Sequence, residues 1–298
     1  MTRRSDNVIL VVGATGRQGR ATAAELLADG WQVRALTRNP ESPTAQALRT
    51  VGAELIVGDL DDRASLEVAV KGAHGVFHAQ AVRGFASEFV VAEEIRQGKN
   101  LIDAAVAADV EHLVYSAAAD LDVEHDNGIH SYLAKREIER YLHESGLPAT
   151  VLLATMFMEN IGTSGPINGR ANGTFSHVFS PDQPVQLFAV QDIGAFATVA
   201  FGNPYWYVGT RLTLAGDELS MTQVATAISA ATHRWIEYRQ LPPTALDSRD
   251  TWHPNLDAAG RTRRADIKAL RGMYPELQTF DTWLRGNTGI FQPDLRCA

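Results

Sequence analysis

The chain has 298 residues, 45% of them apolar and 21% charged, and a formal charge of -8. That composition excludes a disordered, collagenous or disulfide-scaffold protein and leaves enough length for a large core in one or two domains. The acidic balance argues against direct nucleic-acid binding or attachment to anionic membrane, both of which rely on clustered Lys and Arg.

Residues 7–13 (NVILVVG) are a β-branched run and the first expected strand. A helix follows over about residues 16–29 and is ended by Gly30, before a second strand over 31–37. The same alternation recurs at 53–57, 73–79, 111–116 and 148–154, so six strands with helices between them are expected in one doubly wound parallel sheet. No repeat, low-complexity tract or linker marks a boundary; residues 1–154 are expected to form a Rossmann-type α/β domain. Beyond Ala154 the Gly/Asn/Pro-rich stretches 162–173 and 180–184 read as loops around a site. Two later pulses stand around 211–230 and 235–239, with Ser220 as N-cap of a helix over 221–230. Residues 155–298 are therefore expected to add further βα units and a smaller, discontinuous C-terminal lobe over the carboxyl edge of the sheet, where open α/β sheets bind ligands.

Cys297 is the one cysteine, so no intrachain disulfide can form. The first residues, MTRRSDN, lack the apolar core of a signal peptide, and no run reaches the roughly 18 apolar residues of a membrane span. A cytoplasmic protein is expected; oligomeric state cannot be read from the chain.

The chemistry begins at the end of the first strand. Gly13-Ala14-Thr15-Gly16-Arg17-Gln18-Gly19 places glycines where a strand turns into a helix. Glycines let the backbone turn sharply and approach a pyrophosphate, and the N–H groups of the first helical turn face its charge. Gly13, Thr15, Gly16, Arg17, Gln18 and Gly19 are thus expected to hold the phosphates of a dinucleotide; without a ligand the same motif is a tight βα turn. About 20 residues on, such folds place a carboxylate on the ribose 2′-hydroxyl. Here the position reads Thr37-Arg38-Asn39, and an arginine accommodates a 2′-phosphate, which favours NADP(H) over NADH. The alternative is that Arg38 is a solvated residue at a strand end. Asp59 and Leu60 would flank the adenine, and Asp59 could also cap the next helix.

GATGRQG, VRALTRNP, VGDLDD, HSYLAKREIERYL, MFMENI and TFDTWL together resemble the NmrA-like family, atypical relatives of the short-chain dehydrogenases/reductases, over nearly the whole chain. The resemblance implies an NADP(H)-binding Rossmann domain with a small lobe, in a family divided between nicotinamide-sensing regulators and NADPH-dependent reductases of quinones and related acceptors. It also implies that Lys135 contacts the nicotinamide ribose as the catalytic lysine, and that Ala79 and Gln80, together with the segment from Phe157 to Asn160, border the dinucleotide and acceptor. The alternative for Lys135 is a solvated helix lysine.

In the wider superfamily a tyrosine four residues before this lysine donates a proton to a reduced carbonyl. Here that residue is Ser131, and Tyr132 stands about 100° further round the helix. Reduction of a ketone to a basic alkoxide needs such an acid; a quinone gives a phenolate-like product that water can protonate. His78 and His130 are possible donors, although packing roles suit them better, and Ser116 stands where the superfamily carries an active-site hydroxyl. Met156, Phe157 and Met158 suit an aromatic acceptor or plain core packing equally.

The acidic cluster Asp120, Asp122, Glu124, His125 and Asp126 lacks metal-ligand spacing, so no metal is expected, and Arg261, Arg263 and Arg264 read as a solvated face. No GxSxG elbow or cysteine nucleophile supports a hydrolase. The expected function is NADPH-dependent hydride transfer to a quinone-like or other small aromatic acceptor. The alternative is a non-catalytic NADP(H) sensor acting through a regulatory protein partner.

Overall fold

The computed structural model describes residues 4–80, 88–119, 130–161, 173–242 and 264–291. The acidic cluster from Asp120 to Asp126, loop residues 162–172, Arg261, Arg263 and Cys297 lie outside them, as do the side chains of His130, Ser131 and Tyr132.

In chain order the elements are β1 (Val8–Val12), α1 (Arg17–Ala28), β2 (Gln32–Thr37), α2 (Pro43–Thr50), β3 (Glu54–Val57), α3 (Arg63–Val70), β4 (Gly75–His78), α4 (Glu88–Ala107), β5 (His112–Ala118), α5 (His130–Glu144) and β6 (Ala149–Ala154). There follow β7 (Met156–Phe157), β8 (Thr174–His177), β9 (Pro184–Phe188), α6 (Ile193–Gly202), α7 (Pro204–Tyr207), β10 (Arg211–Leu214), β11 (Asp217–Ser220), α8 (Met221–Thr232), β12 (Glu237–Gln240), α9 (Ile267–Met273) and α10 (Phe280–Asn287). The chain forms two compact units, one drawn from residues 1–118, 130–153 and 190–212, the other from 119–129, 154–189 and 213–298.

A mostly parallel seven-stranded sheet, ordered β10-β6-β5-β4-β1-β2-β3, carries the first unit. Its central strands are apolar without alternation, as strands covered on both faces must be: Ile9, Leu10, Val11, Val76, Phe77, Leu113 and Val114 are fully buried. Six strands were expected in the sheet and seven are found. The seventh, β10, lies beside β6, where the Gly209 N–H donates to the Ala149 carbonyl at 2.7 Å and the Val151 N–H to that of Thr210 at 3.0 Å. A four-residue strand that pairs some 60 residues upstream leaves no local pattern to show which sheet it joins. Likewise α6 returns to pack on α1, so closely that a Cβ on Gly194 would lie 2.6 Å from the Ala21 carbonyl oxygen.

The second unit holds a three-stranded sheet, β11-β9-β7, and a parallel pair, β12-β8. Its core gathers Met156, Met158, Phe179, Leu187, Met221 and Trp283. Ser220 caps α8 in a reciprocal box with Gln223, as its position before an apolar run predicted. Stretch 180–184 is the turn into β9. Among the described residues no helix is long and apolar enough to cross a membrane.

Candidate active site

Parallel registers bring the sequence motifs together at the carboxyl edge of the first unit's sheet. Thr37 pairs with Val57, Val11 with Ala35, Val12 with His78, and His78 with Tyr115. Carrying each pairing on by one or two residues sets Thr37, Gly13, Ala79 and Ser116 side by side in one row.

Gly13 leaves β1 at φ +75°, a left-handed conformation that favours glycine, and a Cβ there would lie 2.0 Å from the Ala79 carbonyl oxygen. A Cβ on Gly19 would lie 2.2 Å from the Gly13 carbonyl oxygen, so the helix sits directly on the turn. Gly16 differs from both. Its backbone is ordinary extended chain (φ -79°, ψ 174°), and an added Cβ would approach Gly13 O at 3.1 Å. It occupies the N-cap of α1 with no side chain to satisfy the helical N–H groups, whereas α2 and α3 are capped by Ser42 and Asp62. The turn is closed by the Gly16 N–H donating to the Gly13 carbonyl at 2.9 Å. Thr15 is half-buried and Arg17 exposed.

Gln18 reaches from α1 to the sheet edge. Ser116 Oγ, buried near the carboxyl end of β5, donates to Gln18 Oε1 at 2.5 Å, tying α1 to the sheet edge. On the other side of the row Arg38 is exposed, in a turn shaped by Thr37 and Asn39. Asp59 does not cap the following helix: Asp62 does, its Oδ1 accepting from the N–H groups of Ala64 and Ser65. Asp59 stands three residues too early and instead accepts from the Asp61 N–H at 3.0 Å. The Leu60 carbonyl accepts from Asn100 Nδ2 at 2.9 Å.

Lys135 is no solvated lysine. Its ammonium forms an ion pair with Glu94 at 2.7 Å, donates to the Gln80 backbone carbonyl at 2.7 Å, and lies 5.9 Å from the centre of the Tyr115 ring. Glu94 is only 2% exposed. Close helix packing makes the pair: a Cβ on Gly98 would lie 2.8 Å from Ile138, and one turn earlier on each helix stand Glu94 and Lys135. The Gln80 side chain clamps the end of β4 to α4, donating through Nε2 to the Glu94 carbonyl at 3.2 Å and to Gln97 Oε1 at 2.8 Å. His78 Nε2 meets Gln80 Oε1 at 3.2 Å, and because the Gln80 amide nitrogen is already donating, the histidine nitrogen is the donor here.

Burial, and secondarily the Lys135 charge, push His78 down to about 3, against an upward pull from the Gln80 hydrogen bond. It is therefore neutral near pH 7 and no acid for a substrate. Burial, then the charges of Glu94 and Glu139, hold the Tyr115 phenol well above its usual value. Tyr115 is fully enclosed beside His78, with ring centres 5.0 Å apart.

Of the remaining expected residues, Phe157 and Asn160 belong to the second unit. Phe157 is half-buried against Phe188, and Asn160 is exposed in a 3₁₀ turn. Met156 and Met158 are core residues there, which settles them as packing. Sequence reasoning missed Glu94, Gln97 and Tyr115. Glu94 and Gly98, four apart on a helix preceding the lysine helix, are the faint signal it had.

The NmrA-like family pattern matches residues 5–256. The chain is 31% identical over 251 residues to the nitrogen metabolite repression protein nmrA of Emericella nidulans, spanning 80% of this chain and 69% of that one. It is 31% identical over 235 residues to (4-alkanoyl-5-oxo-2,5-dihydrofuran-3-yl)methyl phosphate reductase of Streptomyces griseus, spanning 78% and 77%. The NADPH-dependent quinone oxidoreductase QOR2 of Escherichia coli, crystallised with NADPH, superposes with a TM-score of 0.77 at 22% identity, over 94% of this chain and 99% of that one; identity that low establishes the fold.

Proposed function

The chain belongs to the NmrA-like family, and from that premise we propose that it is an NADPH-dependent reductase transferring hydride to a quinone-like or other small aromatic acceptor. The observation that carries the reading is the tight, glycine-rich turn at the end of β1 in one row with an exposed arginine after β2. A Cβ at Gly13 or Gly19 would collide with neighbouring backbone, so only glycine lets this cradle close so tightly, and the uncapped first turn of α1 offers N–H groups suited to a pyrophosphate. Thr15, Gly16, Arg17 and Gln18 complete its rim. Arg38 would take the 2′-phosphate, a charge-assisted contact that NADH cannot make. Asp59 and Leu60 would border the adenine, and Ala79 and Gln80 the nicotinamide half.

When bound, the reduced nicotinamide supplies the hydride. Lys135 orients the adjoining ribose through its ammonium, and proper orientation of reactants contributes several kcal/mol to lowering a barrier. With Ser131 where a proton-donating tyrosine would stand, the chemistry suits acceptors whose reduced oxygen resembles a phenolate, at pKa about 10, and takes its proton from water. That same serine favours a second reading, a sensor that binds NADP(H) and signals to a protein partner without turnover. The similarity to a repression protein supports it too.

NADPH oxidation against quinones, nitro- and azo-compounds, with simple ketones as controls, separates the two. Turnover with quinones and none with ketones is the expected result. Micromolar or tighter NADPH binding with no turnover across the panel overturns the reductase reading in favour of the sensor.

A further inference from the structure

We propose that Glu94, which no sequence motif singles out, is a positioning residue for NADPH: it holds the Lys135 ammonium where the nicotinamide ribose must meet it. The inference rests on the NADPH site described above and deepens it. A carboxylate 2% exposed on α4 loses most of its hydration, and an arrangement of that kind persists only when a partner offsets the loss. Here the partner is Lys135, whose ammonium stands 2.7 Å from Glu94 Oε1 as an ion pair, and neither carboxylate oxygen takes a hydrogen bond among the described residues. An ammonium has three N–H donors. The Gln80 carbonyl takes one, the Glu94 carboxylate fixes the charge from a second direction, and among the described residues donor capacity is left for a third group.

The same helix secures both fixed points. Gln80 is bolted to α4 through the Glu94 carbonyl and Gln97, so the carbonyl that Lys135 touches and the carboxylate that balances it move together. Gln97 Nε2 in turn donates to Asp61 Oδ2 at 3.0 Å, which extends the brace to the turn that follows β3. Without the carboxylate, a half-buried ammonium would swing toward water, as long cationic side chains do when their heads are not held. It would then leave the carboxyl edge where the ribose is expected. Glu94 touches no cofactor atom in this scheme; it acts through Lys135.

Binding measurements on the full chain test this without reference to turnover. NADPH affinity is titrated alongside that of adenosine 2′,5′-bisphosphate, which carries the 2′-phosphate but lacks the nicotinamide ribose. Glu94→Gln is expected to weaken NADPH about tenfold and leave the bisphosphate unchanged, with Glu94→Asp recovering part of the loss. In a Lys135→Ala background Glu94→Gln should cost nothing more, because the two residues act as one unit. Should Glu94→Gln fail to fold, Glu94→Asp carries the same comparison of ligands. Unchanged NADPH affinity in Glu94→Gln beside a loss in Lys135→Ala overturns the role of Glu94 alone. Equal losses for NADPH and the bisphosphate overturn it as well, reducing Glu94 to a structural residue. Failure of the parent chain to bind either ligand overturns instead the cofactor site on which the inference stands.

Discussion

The glycine turn after β1 and the Lys135 cluster behind β4 sit on the same sheet edge but are built on opposite principles. The turn works by removing side chains: Gly13 and Gly19 approach neighbouring backbone so closely that a single carbon would collide, at 2.0 and 2.2 Å. The cluster works by adding them, with Lys135, Glu94, Gln80, Gln97 and His78 joined through hydrogen bonds and one ion pair in a largely buried setting. Steric sites fail abruptly when violated, because backbone cannot yield by an ångström, whereas electrostatic ones weaken by degrees as each contact is withdrawn.

The sharpest break is at the turn. Gly19→Val should displace α1 from the turn, abolish binding of NADPH and NADH alike and lower the melting temperature. Gly16→Val should abolish binding of both while the chain stays folded, since its backbone angles suit any residue and only the approach to phosphate is blocked. Normal NADPH binding by Gly16→Val would place the phosphates elsewhere. On the cluster side Lys135→Ala should cut turnover roughly a hundredfold, the scale of a misplaced reacting group. Steady-state kinetics with a quinone that the parent reduces would expose an unaltered rate.

Arg38→Ala comes next, with NADPH weakened roughly ten- to a hundredfold by loss of one charge-assisted bond and NADH hardly affected. Equal losses for both cofactors in parallel titrations would deny Arg38 the 2′-phosphate. Acid should then reveal His78. Its folded value, about 3, lies below the ordinary 6.5 of the unfolded chain, so below pH 6.5 the unfolded state takes up the proton first. The stability that neutral His78 contributes is whole above pH 6.5 and is lost as pH falls toward 3, by about 1.4 kcal/mol per pH unit. His78→Asn should flatten the fall of urea-unfolding stability with acid by that amount, and His112 and His177, each lowered to about 4 chiefly by burial, should sustain what remains. An identical pH slope in the variant would show that His78 takes up its proton freely in the folded protein. The smallest effect is expected of Tyr132→Phe, which should leave reductase activity within a few-fold. A large loss at unchanged NADPH affinity would return a tyrosine acid to the mechanism and carbonyl substrates with it.

The difference between the two regions is also a difference in legibility. A βα turn is a local event: GATGRQG specifies it within seven residues because glycine's conformational freedom and the strand-to-helix switch are both written in sequence. Arg38 was singled out for the same reason, as a candidate at a fixed distance along the chain from the turn. Lys135 was visible only through a family resemblance, and its true environment was not visible at all. Glu94 lies 41 residues before it, on a helix whose pattern says amphipathic and nothing more, and Gly98, which lets the two helices close, looks like an ordinary helix defect. Asp59 shows the limit at short range, since three aspartates in four residues compete to cap α3 and only the backbone geometry selects Asp62.

By itself, then, the amino-acid order determined the alternation of strand and helix, the turn that ends β1, the cap of α8, and the missing carboxylate after β2, because each depends on backbone preferences of a few neighbouring residues. Tertiary structure alone decided that β10 joins the large sheet, that α6 returns to α1, that Gln18 answers Ser116, and that Glu94 meets Lys135. Those choices are made by burial and by pairing of polar groups tens of residues apart. Their energy depends on which surfaces are brought together, and no local run of sequence records that.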